Sequence, residues 1–363
     1  MNADEAVRAL AAAIAAEAAR DPRPFAVMHV CGTHEHTIAR AGLRALLPRN
    51  VELLAGPGCP VCVTPQEEIA RAAAIARAAD ATLATYGDMV RVPAFGTSLA
   101  EERAKGLDLK VVQGPAEAAG LAARAPKRPV IFFSPGFETT AAPVAALLAG
   151  APPANFFVLS AHRLVPPALD ALLGAKRARA EALILPGHVL TVRGLEEYRF
   201  LPERLGFSAV AAGFEPHDVL AAVLWLLRRR GRAPELGNVY GRAVRTEGNE
   251  RARALMDAAF VAEDADWRGI GTLPLSGLAL APAAAPHDAL RAFPAPPAPP
   301  RGPALPAGCR CGEVLLGRIA PADCPLFGKA CTPERAVGPC MVGDEGTCRA
   351  AWTWRGLDDE PRG

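Results

Sequence analysis

With 363 residues, 51% of them hydrophobic and 21% charged, at a formal net charge of +2, the chain is too long for one ordinary core and lacks the basic excess that nucleic acid selects. Its longest apolar runs, such as residues 219–227, are too short to cross a bilayer, and the sequence opens on Asp4 and Glu5 instead of a basic leader. A cytoplasmic protein with no nucleic-acid or membrane partner is therefore expected. In that reducing compartment, nine cysteines at ordered spacings point to metal or redox chemistry ahead of structural disulfides.

The chain begins with a helical pattern over 3–20 and a first apolar strand at 25–30. The loop Cys31-Gly32-Thr33-His34-Glu35 follows, then a helix to about residue 46 and a second strand at 51–54. That strand opens into Gly56-Pro57-Gly58-Cys59-Pro60-Val61-Cys62, after which Thr64 is predicted to cap a helix beginning at Pro65, with Glu67 in the capping-box position. Further short apolar strands are predicted at 81–86, 109–112, 130–134, 156–160, 182–185 and 208–212. Gly136-Phe137-Glu138 and Gly213-Phe214-Glu215 echo each other, each between a strand and a helical run. The pattern predicts the α/β class, with two Rossmann-like parallel α/β domains over 1–115 and 116–235. A C-terminal unit over 236–363 begins with an Ala- and Pro-rich connection at 281–307, which includes Pro294, Pro296, Pro297, Pro299 and Pro300 and favours polyproline conformations.

Six cysteines crowd the tail: Cys309, Cys311, Cys324, Cys331, Cys340 and Cys348. Cys309, Cys324, Cys331 and Cys348 are separated by 14, 6 and 16 residues, wide enough for loops to fold around an iron-sulfur cluster, whereas structural zinc prefers tight Cys-x2-Cys pairs. Disulfides or buried free thiols are the plain alternative, and Cys311 rivals Cys309 as first ligand. Cys59-Pro60-Val61-Cys62 has redox-pair spacing, and its place near a helix start predicts one lowered thiol pKa. Half of a zinc site is the competing reading there. Cys31, His34 and Glu35 can ligate a metal or move protons at a strand's carboxyl end, where open α/β sheets bind ligands, although a lone Cys beside a His can be chance. Thiols from these two loops can converge on one crevice. Glu138 at a helix start is equally well read as a cap. His162, His188 and His217 stand alone in the sequence and are not assigned to a site.

Taken together, Cys31-Gly32-Thr33-His34-Glu35, the Cys59 and Cys62 loop, Gly136-Phe137-Glu138-Thr139-Thr140, Cys324-Pro325-Leu326-Phe327-Gly328-Lys329 and Glu345-Gly346-Thr347-Cys348 make the chain resemble the HypD family of hydrogenase maturation proteins over nearly its whole length. The resemblance implies two α/β domains and a small domain carrying a four-iron four-sulfur cluster, held here by Cys309, Cys324, Cys331 and Cys348. It also implies a scaffold, acting with a small HypC-type chaperone and a HypE-type cyanide donor, on which transient iron receives two cyanides and one carbon monoxide before reaching the NiFe hydrogenase large subunit. On that reading Cys31 ligates the iron, His34 and Glu35 orient or shuttle protons around it, Cys59 and Cys62 form a redox couple fed by the cluster, and Phe137 and Glu138 belong to the active region. The competing function is a cluster-dependent thiol-disulfide oxidoreductase acting on a protein disulfide. A purely structural metal-binding protein is a third reading. No Gly-x-Gly-x-x-Gly or Walker A pattern opens a helix, so nucleotide binding is not expected.

Overall fold

The computed structural model describes residues 2–294 and 302–355, so Pro296, Pro297, Pro299 and Pro300 of the expected connection lie outside the described residues. Among the described residues eleven strands form two sheets. The first is built from β1 (Phe25–His29), β2 (Val51–Ala55), β7 (Ala182–Pro186), β8 (Ser208–Ala212) and β9 (Leu236–Asn238), in the order β2-β1-β7-β8-β9 and parallel throughout. The second is built from β3 (Thr82–Thr85), β4 (Leu109–Val111), β5 (Val130–Gly136), β6 (Phe156–Arg163), β10 (Phe260–Trp267) and β11 (Gly271–Leu280), in the order β10-β11-β6-β5-β3-β4. Its parallel part is continued by an antiparallel hairpin, with β11 paired to β6 through Leu278 and His162.

Between the strands run α1 (Ala3–Ala18), α2 (Gly32–Arg40), α3 (Pro60–Val63), α4 (Gln66–Ala78), α5 (Leu99–Ala104), α6 (Pro115–Arg124), α7 (Glu138–Ala149), α8 (Val165–Gly174), α9 (Gly187–Arg193), α10 (Pro216–Leu227) and α11 (Glu250–Ala259). The tail adds α12 (Ala289–Ala292), α13 (Cys311–Leu315) and α14 (Thr347–Thr353). The central parallel strands are covered on both faces, which is why β1, β5 and β7 are buried along their whole length, whereas β10 at the edge of the second sheet is mostly exposed. Side chains such as Phe132, Phe133, Phe156 and Trp267 are among the largest that are fully buried, and each removes enough apolar surface to contribute about 1.5–3 kcal/mol. One face of the first sheet packs against α1 and α10. Its other face forms a core with Phe137 and Trp267 of the second sheet's side and with Cys311, Leu315, Cys331, Cys340 and Cys348 of the tail. The tail thus fills the seam between the two sheets.

The α/β class and the parallel strands are those the sequence predicts, but the sheets divide the chain otherwise. Expected breaks after 115 and 235 fall inside the second sheet's run and at the edge of β9, because the chain leaves the first sheet after β2 and returns to it at β7. Short apolar strands look alike in sequence, and nothing in their composition names a neighbour. The hairpin β10–β11, in the stretch assigned to the C-terminal unit, belongs to the second sheet. Part of the expected polyproline connection is also folded: 282–287 is a 3-10 turn, His287 Nδ1 lies 2.8 Å from the Phe156 carbonyl oxygen, and Ala289 is buried. Two helix limits shift for local reasons. Gly42, at φ 58°, ends the helix that follows Cys31 and hands the chain to a 3-10 turn at Leu43–Leu46. Thr64 donates its hydroxyl back to the Pro60 carbonyl, 2.8 Å away, and closes α3 instead of capping α4.

Candidate functional site

At the carboxyl ends of β1 and β2 the two thiol loops meet. The Gly56 N–H donates to the His29 carbonyl (2.8 Å) and the Gly32 N–H to the Gly58 carbonyl (2.9 Å), so one loop is stitched to the other. Contact is closest at Gly58, where an added Cβ would stand 2.2 Å from the Cys31 nitrogen. Cys31 is the extended residue that starts α2 (φ −151°, ψ 130°), and it is partly buried. Burial pushes its thiol up to about 11, the Glu345 carboxylate adds to that, and the backbone N–H groups of Thr33 and His34 oppose it. Glu345 comes from the tail and accepts the Thr33 hydroxyl at 2.9 Å.

Glu35 and His34 point away from each other's chemistry. Glu35 is 2% exposed and held by Arg44 (3.1 and 2.7 Å) and by His29 Nε2 (2.7 Å). Burial raises its pKa, but Arg44 and His29 outweigh it and hold the carboxyl at about 2. His34 lies 2.8 Å from the Gly213 carbonyl through Nε2, which fixes that nitrogen as the protonated one. Its Nδ1 is buried with no partner among the described residues, and burial drops its pKa to about 3. The ring stacks on Phe214 at 4.9 Å, and Phe214 stacks on His188 at 3.8 Å. The second half of the echoed motif therefore packs against the helix that Cys31 starts, through His34 and Thr37.

Cys59 and Cys62 are 2% and 0% exposed and unbonded, and the Cys59 sulfur accepts the Cys62 N–H at 3.3 Å. The lowered thiol pKa expected from a helix start is not found at Cys62. Burial raises it, and Cys59, Cys348 and Glu345 reinforce the rise. A helix of four residues has little dipole to set against desolvation.

The tail reaches both loops. α14 packs on α2, and α3 packs on the turn Pro339–Met341. Cys311 and Cys340 are bonded to each other, and Cys309, Cys324, Cys331 and Cys348 are the free thiols of this region among the described residues. Cys348 lies in the field of Cys309, Cys331 and Cys324, and burial drives its thiol strongly up. Burial also raises Cys309. Cys331 Sγ accepts the Val337 N–H at 3.3 Å. Among the described residues no three His, Cys, Asp or Glu side chains are gathered tightly enough for one metal ion. Four free, desolvated sulfurs with an N–H···S contact are a donor set that a cluster of several irons fits.

Phe137 shares the core that contains Cys59, Cys62 and the tail cysteines and lies 5.8 Å from Trp267, ring to ring. Glu138 does cap a helix, but a neighbouring one, since its Oε1 accepts the first N–H of α8, Val165, at 2.9 Å. Its Oε2 and the Tyr198 hydroxyl are buried without partners among the described residues, and burial lifts the Glu138 carboxyl to about 7. The unfolded carboxyl titrates near 4.5, so this group favours the folded state fully below that value and loses the advantage as pH rises through 7. Glu138→Gln is accordingly expected to leave thermal stability at pH 4 nearly unchanged and to raise it at pH 8 by about 2–3 kcal/mol, at roughly 1.4 kcal/mol per unit. Calorimetric melts at the two pH values check this, and an equal shift at both contradicts it.

Sequence reasoning missed His29, Arg44 and Glu345 as partners of the Cys31 loop. A histidine ending a fully apolar strand, directly before the motif, was the available signal for His29.

An α/β protein with one thiol-lined crevice and a cysteine-rich tail lodged against it is the class these features define. The HypD family profile, described as "Hydrogenase formation hypA family", matches residues 5–355. The chain is 44% identical over 359 residues to the hydrogenase expression/formation protein HupD of Azotobacter chroococcum, covering 95% of this chain and 93% of the relative. It is 40% identical over 344 residues to the hydrogenase maturation factor HypD of Escherichia coli, with 93% and 91% covered, and 39% identical over 373 residues to that of Cupriavidus necator, with 97% and 96% covered. The chain belongs to the HypD family of hydrogenase maturation factors. Among the described residues no helix is long and apolar enough to cross a membrane.

Proposed function

We propose that this maturation factor is the scaffold on which the Fe(CN)2CO group of NiFe hydrogenase is assembled, in complex with HypC-type and HypE-type partners, with Cys31 as its iron ligand. The observation that carries the reading is the meeting of three thiol sets in one seam: the Cys59 loop lies on the Cys31 backbone, and the tail's Cys348 and Glu345 lie in the field of Cys62. Iron is the cargo here. Cys31 must lose its proton to hold it, and Glu345, fixed by Thr33, is the carboxylate beside it that takes that proton. His34 and Glu35 set the start of α2 through Gly213 and through Arg44 with His29, which aims Cys31 and makes both positioning groups.

Cys309, Cys324, Cys331 and Cys348 would hold a four-iron four-sulfur cluster, which when bound supplies single electrons. Their spacings of 14, 6 and 16 residues, with no tight Cys-x2-Cys pair, support a cluster over zinc. Cys59 and Cys62 then serve as a dithiol that holds two electrons and two protons in a dry pocket next to Cys348. Their near-complete burial counts against the rival reading, a reductase of protein disulfides, because the attacking thiol there must reach a folded partner. Cytoplasmic residence accords with this thiol chemistry.

Cys31→Ala is expected to abolish the cyanide and carbonyl infrared bands of the complex purified anaerobically with its partners. Bands that persist at full strength in that variant sink the assignment.

A further inference from the structure

Arg268, in the turn between β10 and β11, is 2% exposed and is one of the largest fully buried side chains of the protein. Its backbone N–H donates to the Val63 carbonyl at 2.8 Å, one residue past Cys62. Nε donates to the Ala304 carbonyl (3.1 Å) and Nη2 to the Pro93 carbonyl (2.8 Å), while Nη1 is buried with no partner among the described residues. No carboxylate pairs with this cation among the described residues, whereas the other fully buried arginine, Arg163, reaches Glu68 at 2.5 Å. A buried charge with no carboxylate in contact is costly, so charges further off must balance it.

The surroundings say which. Arg268 lines a cavity of about 770 Å3 whose wall includes Pro306 and Val337. Pro306 accepts the Cys309 N–H at 3.0 Å, and Val337 donates to the Cys331 sulfur, so the cavity wall is also the backing of two tail thiols. The charges acting on the guanidinium are those of Cys309, Glu67 and Cys62. Burial lowers its pKa only to about 10, which leaves it charged at neutral pH. One fixed cation thus lies in the field of Cys309 of the tail and of Cys62 of the dithiol.

We propose that Arg268 is the counter-cation of the tail cluster: it stabilises the state in which the cluster carries one extra electron, and so sets how readily that electron is held beside Cys62. This rests on the cluster reading above. Net charge around a cluster is one of the levers that set its potential, and a cation favours the more negative, reduced form. Arg268 touches neither iron nor substrate, and its part is to tune and position.

The test is a dithionite titration of anaerobically purified holoprotein, with the paramagnetic signal of the reduced cluster read at fixed potentials and iron and acid-labile sulfide assayed on the same samples. Arg268→Gln is expected to lower the reduced-to-oxidised ratio about tenfold at a given potential, equivalent to about 59 mV for one electron. Arg268→Lys, which keeps the charge, should remain within about threefold of the parent. If Arg268→Gln fails to load, Glu67→Gln takes its place. Removing the carboxylate that opposes the guanidinium should raise the ratio about threefold, and no change overturns the proposal. It also falls if loaded Arg268→Gln matches the parent, if Arg268→Lys drops as far as Arg268→Gln, or if the ratio follows added sulfate in place of residue 268. A parent protein that takes up no iron and sulfide ends the cluster reading as well, whereas a loaded parent with an indifferent Arg268 ends this inference alone.

Discussion

Gly58→Ala is expected to cut hydrogenase maturation about a hundredfold in cells that rely on this protein, the loss typical of a misplacement near 1 Å in a reacting site. The added methyl would stand 2.2 Å from the Cys31 nitrogen and 2.3 Å from the Val30 carbonyl carbon. Both are backbone atoms of a strand end, so no side-chain rotation relieves the collision. The two loops must part, and with them the Gly32 N–H to Gly58 carbonyl hydrogen bond that holds Cys31 over the Cys59 loop. Overpacking of this kind also destabilises by about 1–3 kcal/mol. Gly114→Ala is the matched control, because nothing stands within 4 Å of a Cβ placed there. Hydrogen-uptake assays of cells complemented with each variant check the prediction, and equal activities for the two would refute it.

Glu35→Ala is the second change with a large expected effect. It removes the carboxylate that Arg44 and His29 share inside the protein, and breaking such a buried pair costs about 3–5 kcal/mol. Its pH dependence has a definite sign. The folded carboxyl sits near 2 and the unfolded one near 4.5, so its stabilising contribution is fully present above 4.5 and disappears as pH falls toward 2. Urea unfolding at pH 7 and at pH 2.5 should therefore show a wide gap between parent and variant at the higher pH and a narrow one at the lower. A constant gap would mean that the methylene packing of Glu35, and not its charge, is what the fold uses.

Strands and thiol loops were legible in the sequence because each has a local signature. Apolar runs bounded by Gly and Pro mark β1, β2, β5, β7 and β8, and Cys31, Cys59 and Cys62 directly follow two of them. What the sequence could not convey is relational. Nothing in Glu35 announces that its partners are a strand-end histidine and Arg44, nine residues on. Helix position alone suggested a reactive thiol in the Cys59 and Cys62 pair, yet three-dimensional burial decided the direction for Cys62. Of the six tail cysteines the spacing singled out Cys309, Cys324, Cys331 and Cys348 with Cys311 as a rival to the first, but it could not convey that Cys311 and Cys340 are neighbours in space. Arg268 belongs to the same group, since an arginine in a hairpin turn is ordinarily solvated and only the Val63, Pro93 and Ala304 carbonyls make it an interior cation.

The double crossing of the chain between sheets has a consequence in time. β1 and β2 leave the ribosome long before β7, which pairs with the free edge of β1, and the interval from residue 55 to residue 182 is about 6–25 s at ordinary synthesis rates of roughly 5–20 residues per second. During that interval the crevice has one wall. The loops of Cys31, Cys59 and Cys62 then lack the tail that packs on them, because its Glu345 and Cys348 are synthesised later still. A nascent protein of this design depends on the reducing power of its surroundings for the very thiols that, once folded, it shields for itself.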